Sequence, residues 1–373
     1  MADNVEVSLN GGAVRAMDMA VLERYRIGAE QKVEALCCPV SYDKNLLSAI
    51  PLEIIEKDYG CGDPSQFVRA GETVLDLGSD GGKIAYMAAQ IVGAAGRIIG
   101  VDFNPAMLAL SRKYKGEFAA KVGFDVVEFR RGRIQDLALD LDLLDRELAA
   151  HPIRSADDLQ WLADISAKLK REKPLIPTES VDMVLSNCVL NLVGEAEKHL
   201  LFSEIFRVTR NGGRVAISDI VSDKAVPAEL KADPELWSGC ISGAFKEESF
   251  LKAFEDAGFY GIELAKRDEK PWRTVSGIEF RAVTVTAHKG KQGPSAYRNH
   301  SVIYKGPFKA VEDDDGHVLA RGVRQPVNDI TYRLFSREPY ASDFILIDPR
   351  VGAGNNQLPA DENSCCAPGC CSE

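Results

Sequence analysis

No stretch of the 373 residues approaches the roughly 18 consecutive apolar residues that a membrane-spanning helix requires. There is no basic run, and aromatics are not interleaved with Lys and Arg. With 45 basic against 56 acidic residues the formal net charge is −11, which excludes general binding to nucleic acid or to an anionic membrane surface. The opening MADNVEVSLNGG is polar and lacks the basic-then-apolar order of a secretory leader. Histidine is scarce, at five, and no tight C-x-x-C pair occurs in the body of the chain, which argues against a zinc finger. These exclusions point to a cytoplasmic protein whose thiols stay reduced, so the nine cysteines are not a disulfide framework. The default reading of each is a small buried hydrophobe.

What is present is an ordinary globular balance, 45% hydrophobic and 27% charged, on a chain long enough for one or two domains. Residues 1–20 show no sustained period and read as a loose arm; VLERYRIGAEQKVEA (21–35) reads as helix. After the CCPVSYD stretch a second helix is predicted to end near Tyr59, followed by the turn-rich YGCGDP. From Glu72 strand and helix alternate. TVLDLGS, RIIGVDF, VVEFRRG, VDMVLSNCVLNLV and GGRVAISDIV carry five strands; GKIAYMAAQIVG and PAMLALSRKYKGEFAAKVG are the intervening helices, the second opened by Pro105. That cadence predicts a parallel α/β sheet covered on both faces. GIELAKRD and EFRAVTVTAHK complete a seven-stranded, Rossmann-like sheet. An insert at 137–178 holds one helix, SADDLQWLADISAKLKREKP, with Ser155 and Asp158 as a capping box. The predicted division is a helical, thiol-bearing arm (1–70), an α/β domain (71–290), a small unit (296–349) after a linker near 288–295, and a disordered Cys-rich tail (350–373).

The first strand runs into Asp76-Leu77-Gly78-Ser79-Asp80-Gly81-Gly82, and the second ends in Asp102, 26 residues after Asp76. Glycines at a strand–helix turn let a ligand approach the backbone at the carboxyl end of a sheet, and a carboxylate ending the next strand can accept from two ribose hydroxyls. A dinucleotide site wants G-x-G-x-x-G to bring a helix N-terminus onto a pyrophosphate; the G-x-G element is missing here. S-adenosylmethionine has no phosphate, and its amine prefers a carboxylate such as Asp76. The predicted cofactor contacts are therefore Asp76, Gly78, Gly81 and Asp102. Gln135 or Asp136 after the third strand stands near the adenine, and Asn187 after the fourth either contacts the cofactor or shapes the turn.

Cys188 follows strand four, Cys240 follows strand five in ELWSGCISGAF, and Cys61 lies in YGCG just before the sheet. All three fall where loops at the carboxyl edge could meet, and three soft thiolates suit a soft thiophilic ion. From about Cys37 to Lys289 the chain resembles the arsenite S-adenosylmethionine methyltransferase family. The resemblance is carried by Tyr59-Gly60-Cys61-Gly62, VLDLGSDGG, SNCVLNLV, GGRVAISDIV and LWSGCISGAF. It implies that Cys61, Cys188 and Cys240 hold As(III), that Cys37 or Cys38 exchanges thiols with Cys61, and that Cys365-Cys366 and Cys370-Cys371 form a cysteine-pair tail. Two departures stand out: Asp80 and Lys83 in a turn that commonly reads G-S-G-S-G-R-D, and the length of the 137–178 insert.

The reading is an enzyme that transfers a methyl group from S-adenosylmethionine to trivalent arsenic, detoxifying it. Arsenite and methylarsenite would arrive as thiol conjugates, with glutathione or thioredoxin as reductant, and the protein would be a cytoplasmic monomer without nucleic-acid or membrane partners. Cys188 and Cys240 would form the rigid part of the arsenic site, with Cys61 swinging in on the arm. One alternative is a methyltransferase of an organic small molecule with structural cysteines. Another is a non-enzymatic thiol protein that sequesters metalloids.

Overall fold

The computed structural model describes residues 3–36, 40–293 and 295–349, with side chains in the first helix from residue 16 onward. Cys37 and Cys38, and the tail with Cys365, Cys366, Cys370 and Cys371, lie outside the described residues. The chain divides into two compact units, residues 1–290 and 291–373.

The first unit is built on one sheet. Its strands are β1 (Thr73–Leu77), β2 (Arg97–Asp102), β3 (Val127–Arg131), β4 (Val181–Asn187), β5 (Thr209–Ser222), β6 (Phe245–Lys246), β7 (Tyr260–Arg267), β8 (Arg273–Val275) and β9 (Ile278–His288). The main path runs β3-β2-β1-β4-β5-β9-β7, with the short β6 beside β5 and β8 beside β9. Strands β1 to β5 are mutually parallel and β9 is antiparallel to β5 and β7. This is the doubly wound, Rossmann-like sheet that the alternation predicted. The order reverses between β1 and β4, so the loops after β1, β2 and β4 open a crevice at the carboxyl edge.

Helices cover both faces. On one face α4 (Lys83–Val92) is apolar nearly all round, and Ile84 to Ala89 are buried against the sheet. It packs with α2 (Lys44–Ser48), α3 (Leu52–Glu56), α5 (Pro105–Lys113) and α6 (Lys115–Val122) around Ile54, Val74, Ile98, Leu108 and Phe118. Asn104 caps α5, its Oδ1 accepting from the Ala106 amide with Pro105 in the first turn. The single helix predicted over 105–123 is two, because Tyr114 leaves helical geometry (φ −101°, ψ 1°). The segment predicted to run as one helix to Tyr59 is likewise split at Pro51, which cannot continue α2. The other face carries α9 (Lys198–Val208) and α12 (Glu247–Asp256), with Phe202, Phe250 and Phe254 packed edge-to-face.

In the insert, α7 (Leu141–Ala150) was not read from the sequence. The predicted helix is α8 (Ala156–Glu172), and the Ser155–Asp158 capping box is present. After β5 come α10 (Ala228–Lys231) and α11 (Pro234–Ser238).

The largest departure is at the N-terminus. Residues read as a loose arm belong to α1 (Asp3–Glu30), a 28-residue helix. Gly11 and Gly12 weaken intrinsic helicity. Tertiary docking offsets this: Val21, Tyr25 and Gly28, spaced four and three apart on one face, bury against Tyr59, Met107 and Trp237. Arg24 Nη1 donates to Glu235 O (2.9 Å) and Ser238 Oγ (3.0 Å), and Asn104 Nδ2 to Leu22 O (3.1 Å).

The second unit holds a three-stranded antiparallel sheet of β10 (Ser301–Tyr304), β13 (Arg324–Pro326) and β14 (Phe344–Ile347). Beside it are the hairpin β11 (Ala310–Glu312)–β12 (Val318–Ala320) and α13 (Asp329–Phe335). Its core includes Val302, Leu334 and the stacked rings of Phe335 and Phe344.

Candidate active site

A cleft lies at the carboxyl edge where the strand order reverses. Its floor is Gly78 and Asp80 from the turn after β1, and Asp102, Phe103 and Asn104 from the end of β2. One side is Arg133, Ile134 and Gln135 after β3, and the other is Val189, Leu192 and Val193 after β4. The roof is Asp18, Val21 and Tyr25 of α1. Asp18 pairs with Arg133 (2.9 Å), tying roof to wall.

Asp102 shapes the floor. Its Oδ2 accepts from the Asp80 amide (3.0 Å) and its Oδ1 from the Asn104 amide (2.8 Å), leaving each oxygen a further lone pair. Burial pushes its carboxyl up to about 6 despite those bonds. The Asp80 bond holds a non-glycine residue at φ 44° in the turn. Gly78 stands at φ +65° with the Val189 methyls so close that a Cβ would lie 2.4 Å from one of them. The glycine turn therefore touches the residue next to Cys188.

Four of the predicted residues lie outside this lining. Asp76 and Gly81 are outside the lining. Asp76 is buried beneath the turn, its Oδ2 without a hydrogen-bond partner, and burial and the neighbouring Asp58 and Asp102 carboxylates hold its carboxyl well above the usual range. Gly81 faces Leu110 and Asp58. Asp136 turns to Lys170 on α8 (2.6 Å), leaving Gln135 as the residue of that turn in the cleft; Gln135 Nε2 donates to Glu197 (3.0 Å). Asn187 is engaged with the segment before the sheet. Its Oδ1 accepts from the amides of Cys61 and Gly62 (both 3.0 Å) and its Nδ2 donates to Gly62 O (2.9 Å). The side chain is spent on bracketing the YGCG segment, the turn-shaping alternative in the sequence reading.

The three cysteines fall in one apolar cluster, and within it the sulfurs of Cys61 and Cys188 lie within 4.8 Å of each other, a set that Cys240 does not join. Cys61, Cys188 and Cys240 are buried, outside any disulfide, and share that cluster with Ile220, Val226, Ile241 and Phe280. The backbone of Cys61 is bonded to Asn187 at the end of β4. Cys188 (φ 66°) and Cys240 (φ 59°) both adopt left-handed backbone, a conformation that costs a non-glycine residue energy and persists where the surroundings impose it. The Cys188 amide donates to Ser218 O (2.7 Å), and Cys240 Sγ donates to Cys188 O (3.1 Å). The two thiol loops press backbone to backbone, so that a Cβ on Gly243 would lie 2.0 Å from Asn191 O.

Asp219, near the end of β5, was missed by the sequence reading. One of its carboxylate oxygens lies within 4.8 Å of the sulfurs of both Cys61 and Cys188. It is fully buried, accepts from the Leu190 and Ile220 amides (2.9 and 2.7 Å) and from Asn191 Nδ2 (2.8 Å), and burial pushes its carboxyl up to about 7. The signal available was an acid closing an otherwise apolar strand, VAISDIV, at the carboxyl edge.

Tyr25 joins the two halves. Its ring lines the cleft and its hydroxyl lies 3.8 Å from Cys240 Sγ. Lys83, the departure at the end of the glycine turn, forms a buried pair with Asp58 (3.2 Å), whose Oδ2 also accepts the Lys83 amide (2.9 Å).

Half of the chain, residues 69–157 and 161–258, matches the family described as methyltransferase domain. Residues 291–370 match a domain of unknown function. An arsenite methyltransferase of Halobacterium salinarum is 36% identical over 212 residues, covering 56% of this chain and 43% of its own length. This chain thus spans less than half of that relative. An arsenite methyltransferase of Aquipseudomonas alcaligenes is 28% identical over 83% of this chain and 84% of its own. Among solved structures, an arsenic(III) S-adenosylmethionine methyltransferase from Chlamydomonas reinhardtii superposes with a TM-score of 0.54. It is 25% identical and covers 84% of this chain and 97% of its own.

Proposed function

The chain belongs to the methyltransferase-domain family, with arsenite methyltransferases among its sequence relatives, and from that premise we propose that it methylates trivalent arsenic held by Cys61, Cys188 and Cys240. The observation that carries the reading is the shared wall. Val189, next to Cys188, faces the cleft, and Tyr25 touches both the cleft and Cys240, so a ligand in the cleft lies beside the thiols.

The cleft suits S-adenosylmethionine. Asp102 has carboxylate lone pairs to spare for ribose hydroxyls, Ile134 and Gln135 line the side of the cleft where adenine would lie, and no pyrophosphate cradle is needed. The unpartnered Oδ2 of Asp76, beneath the turn, and the carboxyl of Asp80, in the lining, are acceptors that an amine beside the turn would meet. Bound there, S-adenosylmethionine supplies an electrophilic methyl on a sulfonium sulfur.

As(III) on three thiolates is pyramidal and keeps a lone pair, which can attack that methyl in line, the As–C bond forming as the S–CH3 bond breaks and S-adenosylhomocysteine leaves. The arsenic, oxidised by two electrons to As(V), would be returned to As(III) by the thiol reductant. No proton leaves the nucleophile, so no general base is required. What the chain contributes is position. Asn187 holds Cys61, Asp219 and the Ser218 carbonyl hold the Cys188 loop, and Gly243 lets the Cys240 loop close on it. The apolar cluster of Ile220, Ile241 and Phe280 keeps water from the thiolates. Cys37 or Cys38 is proposed to exchange thiols with Cys61 as arsenic arrives, with glutathione or thioredoxin as reductant and thiol-conjugated arsenite and methylarsenite as substrates. The Cys-pair tail is proposed to collect arsenic without taking part in methyl transfer. A cytoplasmic monomer is the setting proposed for this chemistry, in keeping with the thiol chemistry and the acidic charge.

The test is incubation of the full chain with arsenite, a thiol and methyl-labelled S-adenosylmethionine, followed by arsenic speciation. Labelled methylarsenicals are expected. Tight arsenite binding without labelled product would favour sequestration, and labelled organic product without arsenic binding would favour the organic-substrate alternative.

A further inference from the structure

Tyr25 is the side chain that reaches both the cleft and the thiol cluster from α1, and the chemistry of its hydroxyl distinguishes it from packing residues nearby. It is buried, at 7% exposure, with its ring edge-on to Tyr59. A tyrosine hydroxyl, with an ordinary pKa of about 10, is neutral near pH 7 and has a proton to donate. The group within reach is Cys240 Sγ, at 3.8 Å.

The Cys240 sulfur has a second polar contact, its 3.1 Å bond to Cys188 O. In that bond the thiol must donate, because a carbonyl oxygen has no proton to give. The two contacts therefore respond oppositely when the sulfur becomes a ligand. On coordination the thiol proton leaves, and the bond to Cys188 O becomes a repulsion between two acceptors. The bond from Tyr25 persists and strengthens, because a thiolate is the better acceptor.

We infer that Tyr25 is the positioning residue of the arsenic site: its hydroxyl orients the Cys240 thiolate once the contact with Cys188 O is lost, and it does so from a helix that also roofs the cofactor cleft. The inference rests on the proposed arsenic function. It gives α1 a part in the reaction. Arg24, bonded to Glu235 O and Ser238 Oγ, pins the helix at the height where Tyr25 meets Cys240.

Tyr25→Phe separates the hydroxyl from the ring. Three quantities are to be measured on the full chain: S-adenosylmethionine affinity by calorimetry, arsenite affinity by quenching of the tryptophan fluorescence to which Trp237 contributes, and steady-state kcat and KM for arsenite. The variant is expected to keep its cofactor affinity, since the ring wall is intact. Arsenite affinity should fall about five- to tenfold, the scale of one hydrogen bond, and KM for arsenite should rise with it. Arg24→Ala gives an independent reading. It touches neither pocket but frees α1, and should weaken arsenite binding in the same direction. Unchanged arsenite affinity in Tyr25→Phe, or an equal loss of cofactor and arsenite affinity, would overturn the inference, the second pattern being that of a packing residue. A wild-type chain that binds no arsenite would overturn the functional reading itself, and is recognised before any variant is compared.

Discussion

Asn187→Ala should loosen one thiol while leaving the other two in place. The Asn187 carboxamide, 5% exposed, satisfies the amides of Cys61 and Gly62 through Oδ1 and Gly62 O through Nδ2. Removing it leaves two buried N–H groups without an acceptor, at about 1–3 kcal/mol each before water enters the space. A net loss of about 2–4 kcal/mol is expected, which a domain of ordinary stability survives. It should appear as a fall in melting temperature of about 5–10 °C. The functional consequence is selective. As(III) needs three thiolates and methylarsenite two, so freeing Cys61 should reduce arsenite turnover by about tenfold or more, as misplaced reacting groups do, while methylarsenite turnover falls much less. The assay is melting by circular dichroism together with turnover on each substrate at saturating cofactor. An unchanged melting temperature with unchanged arsenite turnover would refute the bracketing role. Equal loss on both substrates would mean that Asn187 acts on the cofactor side after all.

Cys188→Ser or Cys240→Ser should abolish methylation of both arsenicals, since a hydroxyl is a poor ligand for a soft ion, whereas Cys61→Ser should spare methylarsenite; product speciation for each purified variant decides it. Asp102→Ala should weaken S-adenosylmethionine binding by about 1.5–3 kcal/mol through loss of a charged acceptor, and calorimetry showing full affinity would place the ribose elsewhere. Deleting residues 361–373 should leave turnover at saturating arsenite near normal, and its loss in a folded truncation would make the tail catalytic. Burial lifts Asp219 to about 7, so the folded chain holds a proton that the unfolded chain has released once pH passes about 4. Its contribution is therefore greatest below that pH and is lost as pH rises through 7. Denaturant unfolding of Asp219→Asn across that window should show a flatter dependence than wild type.

The sequence by itself determined the sheet and the floor of the cleft, because both are written in local signals. Strand–helix alternation, the Gly78 turn and Asp102 at the end of a strand occur within short windows, and the covalent chain alone brings Asp102 to its place. The capping of α8 by Ser155 and Asp158 is legible for the same reason, a motif closed over four residues. The pattern of three well-separated cysteines suggested a meeting place but not how it is held. That was decided by contacts between residues more than fifty positions apart. Asn187 reaches Cys61, Tyr25 reaches Cys240, and Gly243 fits beneath Asn191 only once β4 and β5 lie side by side. The roof was decided the same way. Nothing in the local propensity of residues 3–20 demands a helix, and α1 forms over the cleft because docking Val21, Tyr25 and Gly28 onto Tyr59, Met107 and Trp237 removes apolar surface from water. Asp219 stayed hidden because an acid ending an apolar strand has no local meaning until the fold sets Cys61 and Cys188 beside it.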